Sequence, residues 1–200
     1  MKIIVLNCGS SSIKYQLFEM PSKDVLAKGL VDKIGLKGSL IKHERSDGVS
    51  VKLEGEILDH QTGIEYLLGI LTSEKYGSIK SINEIDAFGH RVVHAGEAFK
   101  GSVSISPEVV DALVECIDLA PLHNPPNLEG IYSVMKLLPE IHQVGADKAF
   151  DERIWLVFLI SEFSVKVIHP FEDFVDTDTV SHFERAELQS ECFSHGFIDL

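Results

Sequence analysis

Three short segments carry side chains of the kind that handle an anion. The first is Asn7-Cys8-Gly9-Ser10-Ser11-Ser12, with Lys14 two residues further on. Gly9 lets a backbone approach an anion closely. The serine hydroxyls and successive N–H groups can donate to phosphate oxygens, and Lys14 adds a charge on the strand face it shares with Ser12. This is not a Walker loop. The GxxxxGK[ST] pattern is absent, and the alternation of Ile13, Tyr15 and Leu17 predicts a strand after the turn instead of a helix. Taken alone, a Gly-Ser turn in a hairpin is most often only a turn.

The second segment is Gly89-His90-Arg91-Val92-Val93-His94-Ala95-Gly96-Glu97. On a strand, Arg91 and Val93 face one way and His90, Val92 and His94 the other. An Arg at a strand end before a Gly turn is placed to grip a carboxylate or phosphoryl group bidentately. The competing reading is a surface Arg beside two structural histidines. The third is Ala120-Pro121-Leu122-His123-Asn124-Pro125-Pro126-Asn127, where three prolines fix a loop around His123. A rigid loop presenting one His is preorganised for contact with a reacting group; a capped connection with an incidental His is the alternative.

The elements that must position these residues can be read from periodicity. Strands are expected at Lys2–Leu6, Ile13–Phe18, Val25–Val31, Ser39–His43, Val49–Leu53 and Ala87–Val93. A helix is marked by the stripe Ile64, Leu67, Leu68 and Leu71. A second begins at Ser106-Pro107-Glu108 and turns Val110, Leu113, Val114 and Ile117 to one face. A third follows Pro125-Pro126, with Leu128, Ile131, Met135 and Leu138. Strands first, then helices mixed with strands, predict an α/β domain with a mixed sheet.

The totals bound the function. A net charge of −13 and no basic stripe argue against a nucleic-acid surface. Three scattered cysteines without a CxxC pair indicate neither a zinc site nor a disulfide framework. No signal-peptide pattern opens the chain, and its longest purely apolar run, Ile154–Ile160, is too short to span a bilayer. A cytoplasmic setting, away from membranes, is therefore expected. Charge is unevenly spread: residues 1–146 carry 19 acids and 14 bases, residues 147–200 carry 12 and 4. Eight of eleven Phe and the single Trp fall after residue 149. Such a shift predicts a lobe over 1–150 and a divergent tail over 151–200.

Together, Asn-Cys-Gly-Ser-Ser-Ser-Ile-Lys-Tyr-Gln-Leu at 7–17, Gly-His-Arg-Val-Val-His at 89–94 and Ala-Pro-Leu-His-Asn-Pro-Pro-Asn at 120–127 resemble acetate kinase. The resemblance covers about three quarters of the chain. It implies the ribonuclease-H-like N-terminal lobe of the acetate and sugar kinase/actin superfamily. The implied reaction is reversible phosphoryl transfer from ATP to acetate, giving ADP and acetyl phosphate, with Mg²⁺. Matching residues would take these roles: Asn7 on the metal and its phosphates; Ser10, Ser12 and Lys14 along the phosphate side of the nucleotide cleft. Arg91 would hold the acetate carboxylate, His123 the phosphoryl oxygens, and Val93 and Leu122 the acetate methyl. Family members are homodimers, a contact in doubt for a chain with only this lobe, and the relative that uses propionate shares much of the pattern.

Past Val144 the resemblance weakens. Asp147 matches the family's catalytic acid/base if one residue is dropped before it; otherwise it is an exposed acid in a new turn. The second phosphoryl-binding His, the adenosine-binding glycines, the second Arg and the magnesium Glu have no counterpart here. Two outcomes are thus expected: a truncated acetate kinase-type enzyme, or a catalytically silent lobe that binds phosphate or a partner. For a tail like 151–200, a shifted reading frame or a truncated gene is as good a source as a working module.

Overall fold

The structure, a computed structural model, describes residues 1–92 and 102–146. Strand β1 (Lys2–Gly9) and β2 (Ser12–Glu19) form a hairpin, continued by β3 (Asp24–Asp32), β4 (Leu40–Arg45) and β5 (Ser50–Glu54) as an antiparallel meander. On the other side of β1, β6 (Ile85–Arg91) pairs parallel to it, and β8 (His142–Ala146) pairs parallel to β6. The short β7 (Ser102–Ser104) closes that edge antiparallel to β8. The sheet is eight-stranded, in the order β5-β4-β3-β2-β1-β6-β8-β7. All six strands expected from the alternation are present, with the first and second extended to meet at a two-residue turn, Ser10-Ser11.

Period-2 alternation decides which face each residue takes. Ile4, Leu6, Cys8, Ile13, Tyr15, Leu17 and Phe88 lie on the face covered by helix α1 (His60–Leu71) and helix α3 (Asn124–Leu137). Ile3, Phe18, Ala87, Val144 and Ala146 form a smaller cluster on the opposite face. In α1 the stripe Ile64, Leu67, Leu68 and Leu71 is buried as its spacing requires, each side chain contributing about 2 kcal/mol of burial. Asp59 starts that helix, its carboxylate accepting from Thr62 N at 2.7 Å.

The remaining helices differ in detail from the sequence expectation. Helix α2 (Pro107–Glu115) starts as expected, with Ser106 Oγ accepting from Val109 N at 3.4 Å and Pro107 in the first turn. Its buried stripe is Val109, Val110 and Leu113, packed on Leu128 and Ile131 of α3. Val114 lies roughly 90° round from the centre of that stripe and is 43% exposed. Ile117 falls beyond the helix, in a 3-10 turn spanning Ile117–Leu119. Helix α3 takes in Pro125 and Pro126 instead of following them. The first turn of a helix has no intrahelical use for its N–H groups, so two prolines cost it nothing there.

Candidate active site

The carboxyl ends of the parallel strands are where an open α/β sheet offers a crevice, and Asn7, Lys14 and Arg91 come together there. Asn7 pairs with Lys14 across the hairpin. On the other side Leu6 pairs with His90, which sets Asn7 level with Arg91, and Arg91 pairs with Ala146 of β8. Alternation from Ile3 and Val5, and from Ala87, places Asn7, Lys14 and Arg91 on one face, the face away from α1 and α3. Lys14, Asn7 and Arg91 thus form a row across three adjacent strands, spanning roughly 10 Å at the usual strand spacing. Lys14 is exposed, and Asn7 and Arg91 are half-buried. A row of two cations and an amide suits an elongated anion with charge at both ends.

The turn beside this row is held from the helix side. Backbone carbonyls would present negative ends to a phosphate, and here they are taken by donors. Asn127 Nδ2 donates to Cys8 O at 2.8 Å, His60 Nε2 to Gly9 O at 2.7 Å and Ile34 N to Ser11 O at 2.9 Å. Gly130 lets α3 sit directly on β1, since a Cβ there would stand 2.5 Å from Cys8 Sγ. Burial pushes the Cys8 thiol up to about 12, so it is a packing group and not a nucleophile. Ser10 is exposed at the turn and Ser12 half-buried at the start of β2.

His123 stands at the N-terminus of α3, one turn (roughly 6 Å) before Asn127, which is anchored to β1. Its side chain makes no capping hydrogen bond and is exposed. The amides at this helix end are committed: Asn124 N bonds Ala120 O, Asn127 N bonds His123 O, and the two residues between are prolines. An anion at this end would be met by the helix dipole and the imidazole of His123, with no free backbone donor in the first turn. Leu122 is 79% exposed in the turn before the helix. Val93 and Asp147 lie outside the described residues, as does His94; in the chain Asp147 directly follows Ala146, the partner of Arg91.

His60, Asn127 and Gly130 were not singled out by sequence reasoning as supports of the turn. Asn127 was visible within a motif, but nothing in the residue pattern shows that it reaches a carbonyl 119 positions earlier.

A ribonuclease-H-like lobe with Lys14, Asn7 and Arg91 in a row at its carboxyl edge defines the class of protein. Within that class the chain belongs to the Acetokinase family, whose profile matches residues 2–155. Acetate kinase of Azobacteroides pseudotrichonymphae genomovar. CFP2 is 63% identical over 153 residues, which are 76% of this chain and 38% of that protein. The crystal structure of Porphyromonas gingivalis acetate kinase superposes with a TM-score of 0.71 at 55% identity, over 72% of this chain and 36% of the other. A propionate kinase from Francisella tularensis subsp. tularensis SCHU S4 gives 0.64 at 35% identity, over 72% and 36%. The chain therefore spans little more than a third of the length of the relatives it matches. Among the described residues no helix is long and apolar enough to cross a membrane.

Proposed function

We propose that residues 1 to about 150 form the carboxylate- and phosphate-binding half of an acetate kinase-type active site, transferring the γ-phosphoryl of ATP to acetate and the reverse, with residues 151–200 a separate tail. The observation that carries this reading is the row Lys14, Asn7, Arg91 on one sheet face at the carboxyl ends of β1 and β6. Arg91 would grip the acetate carboxylate, and Val93 and Leu122 would bracket its methyl group. Ser10, Ser12 and Lys14 would line the nucleotide phosphates. His123 would hydrogen-bond the oxygens of the transferring group, and Asp147 would serve as acid/base beside it. Acetate is taken as the substrate, with propionate, used by a relative 35% identical, as the alternative.

The chemistry suits these groups. Phosphoryl transfer asks for in-line placement and neutralisation of the equatorial oxygens, with little covalent help. Arg91, Lys14 and His123 supply placement and charge. Mg²⁺ is a cation that takes few protein ligands and the rest from phosphates and water. Asn7, with its amide oxygen at the centre of the row, would hold it, and the ion would supply charge neutralisation between the phosphates. A second reading is a silent lobe that binds phosphate and turns nothing over.

The test is acetyl phosphate formation by the purified chain with ATP, Mg²⁺ and acetate, trapped as the hydroxamate. Turnover that falls by about 100-fold or more in Arg91→Ala, as for loss of an electrostatic stabiliser, is the expected result. No turnover in a sample whose folding is shown by its melting transition would leave the silent lobe.

A further inference from the structure

His60 is the first residue of α1 and is 4% exposed. Its Nε2 lies 2.7 Å from Gly9 O and its Nδ1 2.6 Å from Glu129 Oε2. A carbonyl oxygen carries no hydrogen, so Nε2 must donate. A neutral imidazole would then face Glu129 with a lone pair, and two lone pairs at this distance repel. A proton must lie between Nδ1 and the carboxylate. That proton bridges the buried ring to a carboxylate whose side chain is 61% exposed. We propose that His60, its ring clamped between the Gly9 carbonyl and the Glu129 carboxylate, is the positioning residue of the Ser10-Ser11 turn. This rests on the reading that the turn handles phosphate.

Three elements meet at the ring. Gly9 ends β1, Glu129 belongs to the second turn of α3, and His60 opens α1. The charges that face it are Glu129 from α3 and Asp59, the cap of its own helix, with Lys136 of α3 acting on Asp59 and bonded to Gln61 at 2.7 Å. The clamp withdraws the Gly9 carbonyl from the phosphate side by the Nε2 bond. Asn127 does the same for Cys8 one residue earlier with a neutral amide. Of these side-chain donors, His60 is the one that also bonds an acid, so the turn is tied to the Glu129 carboxylate.

The experiment compares the wild-type chain with Glu129→Gln and His60→Gln. Ring nitrogens are followed by histidine ¹⁵N NMR, the Ser10, Ser11 and Ser12 amides by backbone NMR, and affinity by titration with inorganic phosphate. A ring hydrogen-bonded through both nitrogens is expected in the wild type. In Glu129→Gln, which alters a mostly exposed side chain, the Nδ1 signal should shift. The three amides should shift, and phosphate should bind about tenfold more weakly. His60→Gln, which keeps one donor for Gly9 but loses the second bond to Glu129, should weaken phosphate binding similarly. A wild-type Nδ1 without a hydrogen bond, or Glu129→Gln amides and affinity identical to wild type, would overturn the clamp. Amides that follow the ring in a wild type that binds no phosphate would keep the clamp and remove the phosphate reading.

Discussion

His90 and His60 are both buried, yet their surroundings ask opposite things of them. His90 Nε2 donates to Gln143 Oε1 at 2.8 Å, and its Nδ1 has no hydrogen-bond partner among the described residues. Burial pushes it down to about 4, against a smaller upward pull from Gln143. An unfolded chain would protonate this residue near its ordinary value of about 6.5. Between those values the unfolded state binds more protons, so stability falls as pH drops from about 6.5 to about 4, by about 3 kcal/mol in all. Above 6.5 His90 adds no pH dependence. Urea unfolding at pH 7.5, 6 and 5 should show this loss in the wild type, and a shallower one in His90→Gln; equal slopes would contradict it. At this scale the sequence was partly legible. It offered a structural role for His90 as one alternative, and it marked Arg91 because an Arg at a strand end before a Gly turn can grip an anion, with a surface Arg as the alternative. It was silent on His60, which belongs to none of the three motifs.

Two helical glycines, Gly130 of α3 and Gly69 of α1, stand in opposite surroundings. Gly130 in α3 faces β1, and a Cβ there would meet Cys8 Sγ at 2.5 Å and Cys8 Cβ at 3.3 Å. Gly69 in α1 has nothing within 4 Å of its would-be Cβ. Gly130→Ala should therefore destabilise by about 1–2 kcal/mol, overpacking outweighing the better helix propensity. Gly69→Ala should stabilise by about 0.5–1 kcal/mol. Thermal melts of the two variants against the wild type check both signs. Element positions were well marked in the sequence because alternation and caps are local. Boundaries were less so. Proline marked the start of α2, where Ser106 precedes it, but the Pro125-Pro126 pair read as loop because the sequence does not show that Asn124 already closes a turn onto Ala120. Val114 was assigned to the buried stripe because spacing alone does not centre the stripe.

Across the whole molecule, protection should follow depth in the sheet. Strands β1, β2 and β6 lie between other strands and carry six of the eleven largest fully buried side chains, whereas every residue of the edge strand β5 is exposed or half-exposed. Native-state hydrogen exchange should therefore be slowest in β1 and β6 and fastest in β5 and β7. Exchange from β5 as slow as from β1 would show that the edge is covered. The mixed sheet was legible as a class, from strands giving way to helices and strands. The parallel pairings of β1 with β6 and of β6 with β8 were not, since they join residues some 50 to 90 positions apart and leave no local trace. That is also why the row Lys14, Asn7, Arg91 could be named residue by residue from its motifs but not seen as a row.

The same order of strands has a bearing on how the chain comes into being. A ribosome releases β1 to β5 as one contiguous stretch, residues 2–54, whose antiparallel pairings need nothing that follows. The partner of β1 on its other side is not made until Ile85–Arg91, and the partner of β6 only at His142–Ala146. During synthesis β1 is thus the open edge of a nascent sheet, its backbone groups on that side unpaired until β6 is made. The strand that bears Asn7 is also the one most in need of shelter while the chain is being translated.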